Sequence, residues 1–300
     1  MKPLFIASWQ HIKHSFSVVT FSLCIVTICI ACWLNYGEVF RLWPVDSSFN
    51  NSFLFLVVLF LVFFGLGFLF STLPQKIKPD LRNRYLWVLL TAPILFALKV
   101  ALPFDAWFFQ NASQEWQNAF YKVAAWMGGL LLIIPSLLLM HLFFEKKLGL
   151  YFTKKVNTYQ FYLFLLFCMI PLLVVATMQP VFQQTYPRAK DITDALDSSA
   201  TILHYSLFEF FYILDFITVE LFFRGMLIAV ITRIMGVQGI IPAALFYFSI
   251  HLGKPMPEAI GSFFGGLILG AVSYETKSIW GGWMVHCGIA LLMELFAFLF

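Results

Sequence analysis

The chain is a succession of long apolar runs. A run of about 20 apolar residues crosses a bilayer as a helix. Such runs occupy 15–35, 53–73, 85–103, 122–143, 159–178, 203–233, 238–252, 258–273 and 279–299. The sixth is long enough to bend and the seventh is short. Nine crossings are expected, or eight if a short run is re-entrant. Backbone N–H and C=O groups have no water to bond in lipid, so each run must satisfy its own as a helix. The fold class is therefore all-α, a polytopic transmembrane helix bundle. Composition agrees: of 300 residues, 61% are hydrophobic and 11% charged. A soluble domain carries about 25% charged residues.

The net charge of +4 leaves no nucleic-acid footprint, and no nucleic-acid partner is expected. The basic residues sit in short loops, where they set topology. Lys76, Lys78, Arg82 and Arg84 lie in one loop, and Lys146, Lys147, Lys154 and Lys155 in another. Both loops, and the N-terminus with Lys2 and Lys13, are expected inside. That places the protein in a membrane, expected to be the bacterial cytoplasmic one, with lipid as its first partner. No cleaved signal peptide is expected in "MKPLFIASWQHIKH". The cysteines Cys24, Cys29, Cys32, Cys168 and Cys287 all fall in apolar runs. Cys29 and Cys32 have C-x-x-C spacing but no second pair and no nearby histidine. All five read as small packing residues, without disulfides.

Residues 1–199 read as a scaffold of transmembrane helices. Their one oddity is Lys99, in mid-run. Snorkelling outward, with Asp105 nearby, is the expected way to keep its charge. Residues 200–300 carry the chemistry. Glu220 and Arg224 are four apart in "TVELFFRGML", so a helix sets them about 40° apart on one face. A buried ion pair that only locks helices together would explain them. His251 in "LFYFSIHLG" and His286 in "GGWMVHCGIA" each read alone as a hydrogen-bonded core histidine. Taken with the Glu–Arg pair they form a functional-site candidate, because ionisable groups inside a membrane are costly to keep.

These blocks, "VELFFRG", "FYFSIHLGKP" and "GGLILGAVSYETKSIWGGWMVHCGIA", resemble the Abi or CPBP family. That family includes the type 2 CAAX prenyl proteases (Rce1-like) and bacteriocin-processing or immunity membrane proteins. The resemblance covers about residues 200–300. Its pattern is E-E-x-x-x-R, then F-x-x-x-H, then a final H-x-x-x-N or H-x-x-x-D. It implies that Glu220 is the second glutamate of the first block and Arg224 its arginine. His251 is the second-block histidine, with Tyr247 at the usual phenylalanine, and His286 is the third-block histidine. The implied activity is intramembrane endopeptidase: an acid and the second-block histidine activate water, and the third block stabilises the oxyanion. The implied substrate is a peptide or membrane-protein segment. The resemblance also raises a divalent metal such as zinc, which would be held by Glu220, His251 and His286.

Two positions depart from the pattern. Val219 stands where the first glutamate belongs, and Ala290 where the final Asn or Asp belongs. Losing an oxyanion donor can cost about 10²–10³ in rate, and losing a general base about 10²–10⁴. Asp215 lies one turn before Val219, Glu294 one turn beyond Ala290, and Glu209 farther up the same helix. Each reads as a group that pairs with another helix or faces the aqueous boundary, unless Glu220 itself, or Asp215, serves as the base. A catalytically silent scaffold or binding protein is the alternative to the enzyme. A transporter is weaker, because no matched pair of broken helices is visible. Convergence of Glu220, His251, His286 and Asp215 on a wet cavity would favour catalysis, and a dry cluster the silent reading. One consequence is testable at once: cysteine-accessibility labelling is expected to place loops 74–85 and 145–156 on the cytoplasmic side.

Overall fold

The computed structural model describes residues 2–15, 17–37, 39–43, 49–73, 86–143 and 159–299. Both basic loops of the topology argument lie outside these residues. The described chain is helical. It runs α1 (Lys2–Ser15), α2 (Val18–Tyr36), α3 (Phe49–Thr72), α4 (Leu86–Ala101), α5 (Phe104–Phe109), α6 (Gln114–Phe143) and α7 (Tyr159–Thr177). After these come α8 (Pro180–Thr185), α9 (Lys190–Leu196), α10 (Ile202–Glu220), a π-helical segment Leu221–Ile228 and α11 (Ala229–Met235). The chain closes with α12 (Ile240–Ser249), α13 (Met256–Thr276) and α14 (Trp280–Leu299).

Among the described residues, six helices are long and apolar enough to cross a membrane: α2, α3, α6, α7, α13 and α14. Large apolar side chains such as Trp33, Leu131, Leu142 and Phe167 stand exposed on their outer faces. In water they would be a liability, whereas in lipid they are in their proper solvent. The chain is an integral membrane protein.

The expected run at 238–252 becomes the ten-residue α12. At 1.5 Å per residue it is about 15 Å long, half of a hydrocarbon core. All ten of its residues are buried. It packs against α3 on one side and α13 on the other. Its Phe246 meets Phe60, Phe64, Phe96, Phe222 and Phe223 at ring-centroid distances of 5.2–6.1 Å. This aromatic cluster ties α12 to α3, to α4 and to the π-helical segment. Around it, α14 packs on α7, α10 on α6, and α1 on α13.

Lys99 does not snorkel toward Asp105. Its Nζ lies 2.8 Å from Asp215 Oδ1 and 3.2 Å from Oδ2, joining α4 to α10. Both side chains are mostly buried, so a partner in the bundle costs less than a path to water. Gly129 of α6 makes room for the lysine stem; a Cβ there would sit 2.6 Å from Lys99 Cε. Removing one partner of a buried pair strands the other charge, at about 3–5 kcal/mol. Lys99→Ala and Asp215→Ala are each expected to lower the thermal unfolding temperature in detergent clearly. Replacing both by leucine should restore most of the loss.

Candidate active site

Glu220 ends α10 and Arg224 follows within the π-helical segment. A π turn takes up an extra residue, and such segments recur at functional sites. Both side chains are fully buried. Arg224 Nη1 lies 3.1 Å from Glu220 Oε1, so the pair inferred from spacing is formed. The same carboxylate oxygen receives a second group: His286 Nδ1 on α14, at 2.7 Å. Glu220 Oε2 points at the bare Cα of Gly282, where any Cβ would collide with it. The "GGW" sequence opening α14 is thus the space into which the carboxylate fits.

His286 uses both ring nitrogens. Its Nε2 lies 2.5 Å from the Tyr247 hydroxyl on α12. Phe216 of α10 stacks on its ring at 5.2 Å with an interplanar angle of 18°, holding its plane. The Arg224 guanidinium carbon sits 4.3 Å from the centroid of the Tyr247 ring. A cation over a ring face is worth about 2 kcal/mol when both are out of water. His251 follows α12 by two residues, and its Nδ1 is 2.8 Å from the Tyr247 carbonyl oxygen. A carbonyl only accepts, so Nδ1 carries the hydrogen, and in the neutral ring Nε2 is left as the lone-pair nitrogen. The two rings meet edge to face at 4.5 Å.

Four of the expected site residues therefore converge, and Tyr247 joins them. Its hydroxyl binds His286, its carbonyl binds His251, and its ring lies under Arg224. Asp215 does not join them, because it is occupied by Lys99. Val219 is buried in the apolar core. Ala290 packs among Phe208, Tyr212 and Trp126. Glu294 accepts from the backbone N–H groups of Arg188 and Ala189, at 2.8 and 3.2 Å, just ahead of α9. There it offsets the partial positive charge of a helix start.

Residues 202–292 match the family model of the type II CAAX prenyl endopeptidase Rce1-like proteins. This segment is similar to that family. It holds all four core site residues and both departures, and it stops short of Glu294. No curated protein and no solved structure gives a significant match.

The Rce1-like segment does not fit a metal. Both nitrogens of His286 are engaged, and Nδ1 of His251 is committed to a carbonyl. Among the described residues no group of three His, Cys, Asp or Glu side chains is placed to hold an ion. The gap beside Arg224, lined by Phe223, Arg224, Ile228, Ala243, Tyr247 and Gly266, is too narrow to admit a water. Glu220 Oε2 has no hydrogen-bond partner, and Arg224 Nη1 meets Glu220 Oε1 as an ion pair without hydrogen-bond geometry.

A second polar cluster escaped the sequence reading. Glu258 of α13 accepts from Lys254 Nζ and from the Tyr186 hydroxyl, each at 2.9 Å. Burial pushes the Tyr186 phenol well above its ordinary range. The Arg188 guanidinium lies 5.3 Å from the Tyr186 ring and 5.9 Å from that of Tyr212. The Lys254–Glu258 spacing of four was the available signal, but Arg188 and Tyr186 lie about 70 residues away in the chain.

Arg224→Ala is expected to strand the Glu220 carboxylate and to cost about 3–5 kcal/mol of stability. Gly282→Ala should also destabilise, through its collision with the same oxygen. Both are read from thermal unfolding of the detergent-purified protein.

Proposed function

We propose that this protein is a membrane-embedded endopeptidase of the CPBP type, hydrolysing a peptide bond in a segment that enters the bundle. The observation that carries this reading is the buried meeting of Glu220, Arg224, Tyr247, His251 and His286, drawn from three separate helices and one loop. An inert lock between helices needs only the Glu–Arg pair. It needs neither a histidine on each of two further elements nor a lone-pair nitrogen on His251. In this reading His251 Nε2 accepts a hydrogen bond from the attacking water. Glu220 orients His286 through Nδ1, and Arg224 keeps the carboxylate ionised. The bundle crosses a bacterial cytoplasmic membrane nine times, N-terminus inside. Six crossings are the long helices, one is α4, and one is the rod from α10 through α11. The ninth is the short α12 with its flanking turns, a reading supported by Gln238 lying against Ser71 at one end and Lys254 against Tyr36 at the other.

A second reading, a silent scaffold or binding protein, is favoured by one specific observation. Val219 and Ala290 are buried among apolar neighbours at the places of the family's base and oxyanion donor. Purified wild type, His251→Ala and Val219→Glu, assayed on a membrane-peptide library, decide between the two. Wild type is expected to cleave, and His251→Ala to lose about 10²–10⁴ of the rate. Val219→Glu should lower activity as well, since a second buried carboxylate beside Glu220 would push one of them to protonate. Cleavage that survives His251→Ala defeats the assignment, and no cleavage by wild type favours the scaffold.

A further inference from the structure

We propose that Tyr247 is a catalytic residue, and that Glu220, His286 and Tyr247 form a proton relay whose phenol oxygen takes the proton of the attacking water. The inference rests on the peptidase reading above and deepens it. It starts from a difficulty with Glu220. In the family pattern a glutamate serves as base, and here the first is Val219. Glu220 is badly placed to take over. Its Oε1 is shared by Arg224 and His286, at 3.1 and 2.7 Å, and its Oε2 is turned into the wall formed by Gly282. A carboxylate so enclosed orients its neighbours and cannot reach a water.

The hydrogen bonds leading away from Glu220 have a fixed direction. An ionised carboxylate only accepts, so His286 Nδ1 donates to it. In the neutral ring Nε2 is then the acceptor, and the Tyr247 hydroxyl donates to Nε2 across 2.5 Å. The order is hydroxyl, imidazole, carboxylate, the logic by which a triad activates a hydroxyl on unrelated folds. The hydroxyl proton points at His286, and the phenol oxygen, which also faces the Arg224 guanidinium, keeps one lone pair as an acceptor. His251, in edge contact with the same ring, offers a second acceptor at Nε2. A water held by both donates its two hydrogens and keeps its own lone pair for the carbonyl carbon.

The step balances within these residues. As the water oxygen bonds to the carbonyl carbon, its proton passes to the Tyr247 oxygen. The Tyr247 proton passes to His286 Nε2. The imidazolium so formed is held by Glu220. Negative charge building on the phenol is met by the Arg224 guanidinium over its ring face, at 4.3 Å. When the tetrahedral adduct collapses, His286 returns its proton to Tyr247, which gives its own to the leaving nitrogen. One water is consumed and every side chain regains its starting state. The phenylalanine usual at this position has no hydroxyl and could not serve.

The test uses full-length protein in detergent and a peptide that wild type cleaves. Tyr247→Phe keeps the ring, its packing and the cation contact, and it restores the family's usual residue, so it should fold normally. Its kcat is expected to fall about 10²-fold or more with KM little changed. Replacing Tyr247 by 3-fluorotyrosine, which retains the hydroxyl but makes it more acidic, should alter kcat and leave KM alone. A merely structural hydroxyl would not respond in that way. Cleavage by Tyr247→Phe at the wild-type rate overturns the relay and leaves the peptidase reading standing. Absence of cleavage by wild type overturns both.

Discussion

One carboxylate organises this molecule. Glu220 lies fully buried in the bundle and receives Arg224 from its own chain segment and His286 from α14. An isolated carboxylate in such a setting would be neutralised by protonation, because its charge cannot be solvated. Arg224 supplies the compensating charge, and His286 bonds to the same oxygen. The cost spreads outward. Gly282 must lack a side chain, Phe216 must stack on the imidazole, and α12 must present a hydroxyl to the far nitrogen. The helices around the site are thus held by a polar centre as much as by their aromatic surfaces. That suits a membrane, where apolar contact between helices gains little over contact with lipid.

Much of this was legible in the residues. Spans could be read from runs, and among the described residues six helices meet the requirement of length and apolarity. The Glu220–Arg224 pair followed from a spacing of four, a local signal. His251 and His286 stood out because polar groups are rare in their surroundings. What was not legible depended on contacts between distant segments. Lys99 and Asp215 are 116 residues apart, and no local pattern announces that α4 and α10 face each other at that level. Glu294 was in view as an auxiliary group near the third block. Its partners are backbone N–H groups ahead of α9, which a side-chain inventory does not count.

Tyr247 shows the limit most clearly. As a residue type it looked like a mild variation on phenylalanine. Only its position, with the hydroxyl on one histidine and the carbonyl on another, makes it the junction of the site. The groups gather, but the gap lined by Arg224 and Tyr247 is too tight for water.

The ten residues of α12 have a consequence for how the protein is made. An insertion machinery sorts helices by length and greasiness, and a helix of about 15 Å is half a membrane thickness. Every one of its side chains is covered by other parts of the chain, so lipid never becomes its neighbour. It cannot be threaded in as a separate unit and left to wait. It has to be carried between its flanking segments and enclosed as α3 and α13 close around it. The buried cluster is therefore complete only once α14 brings His286 to Glu220, and a chain interrupted before α13 holds no such cluster.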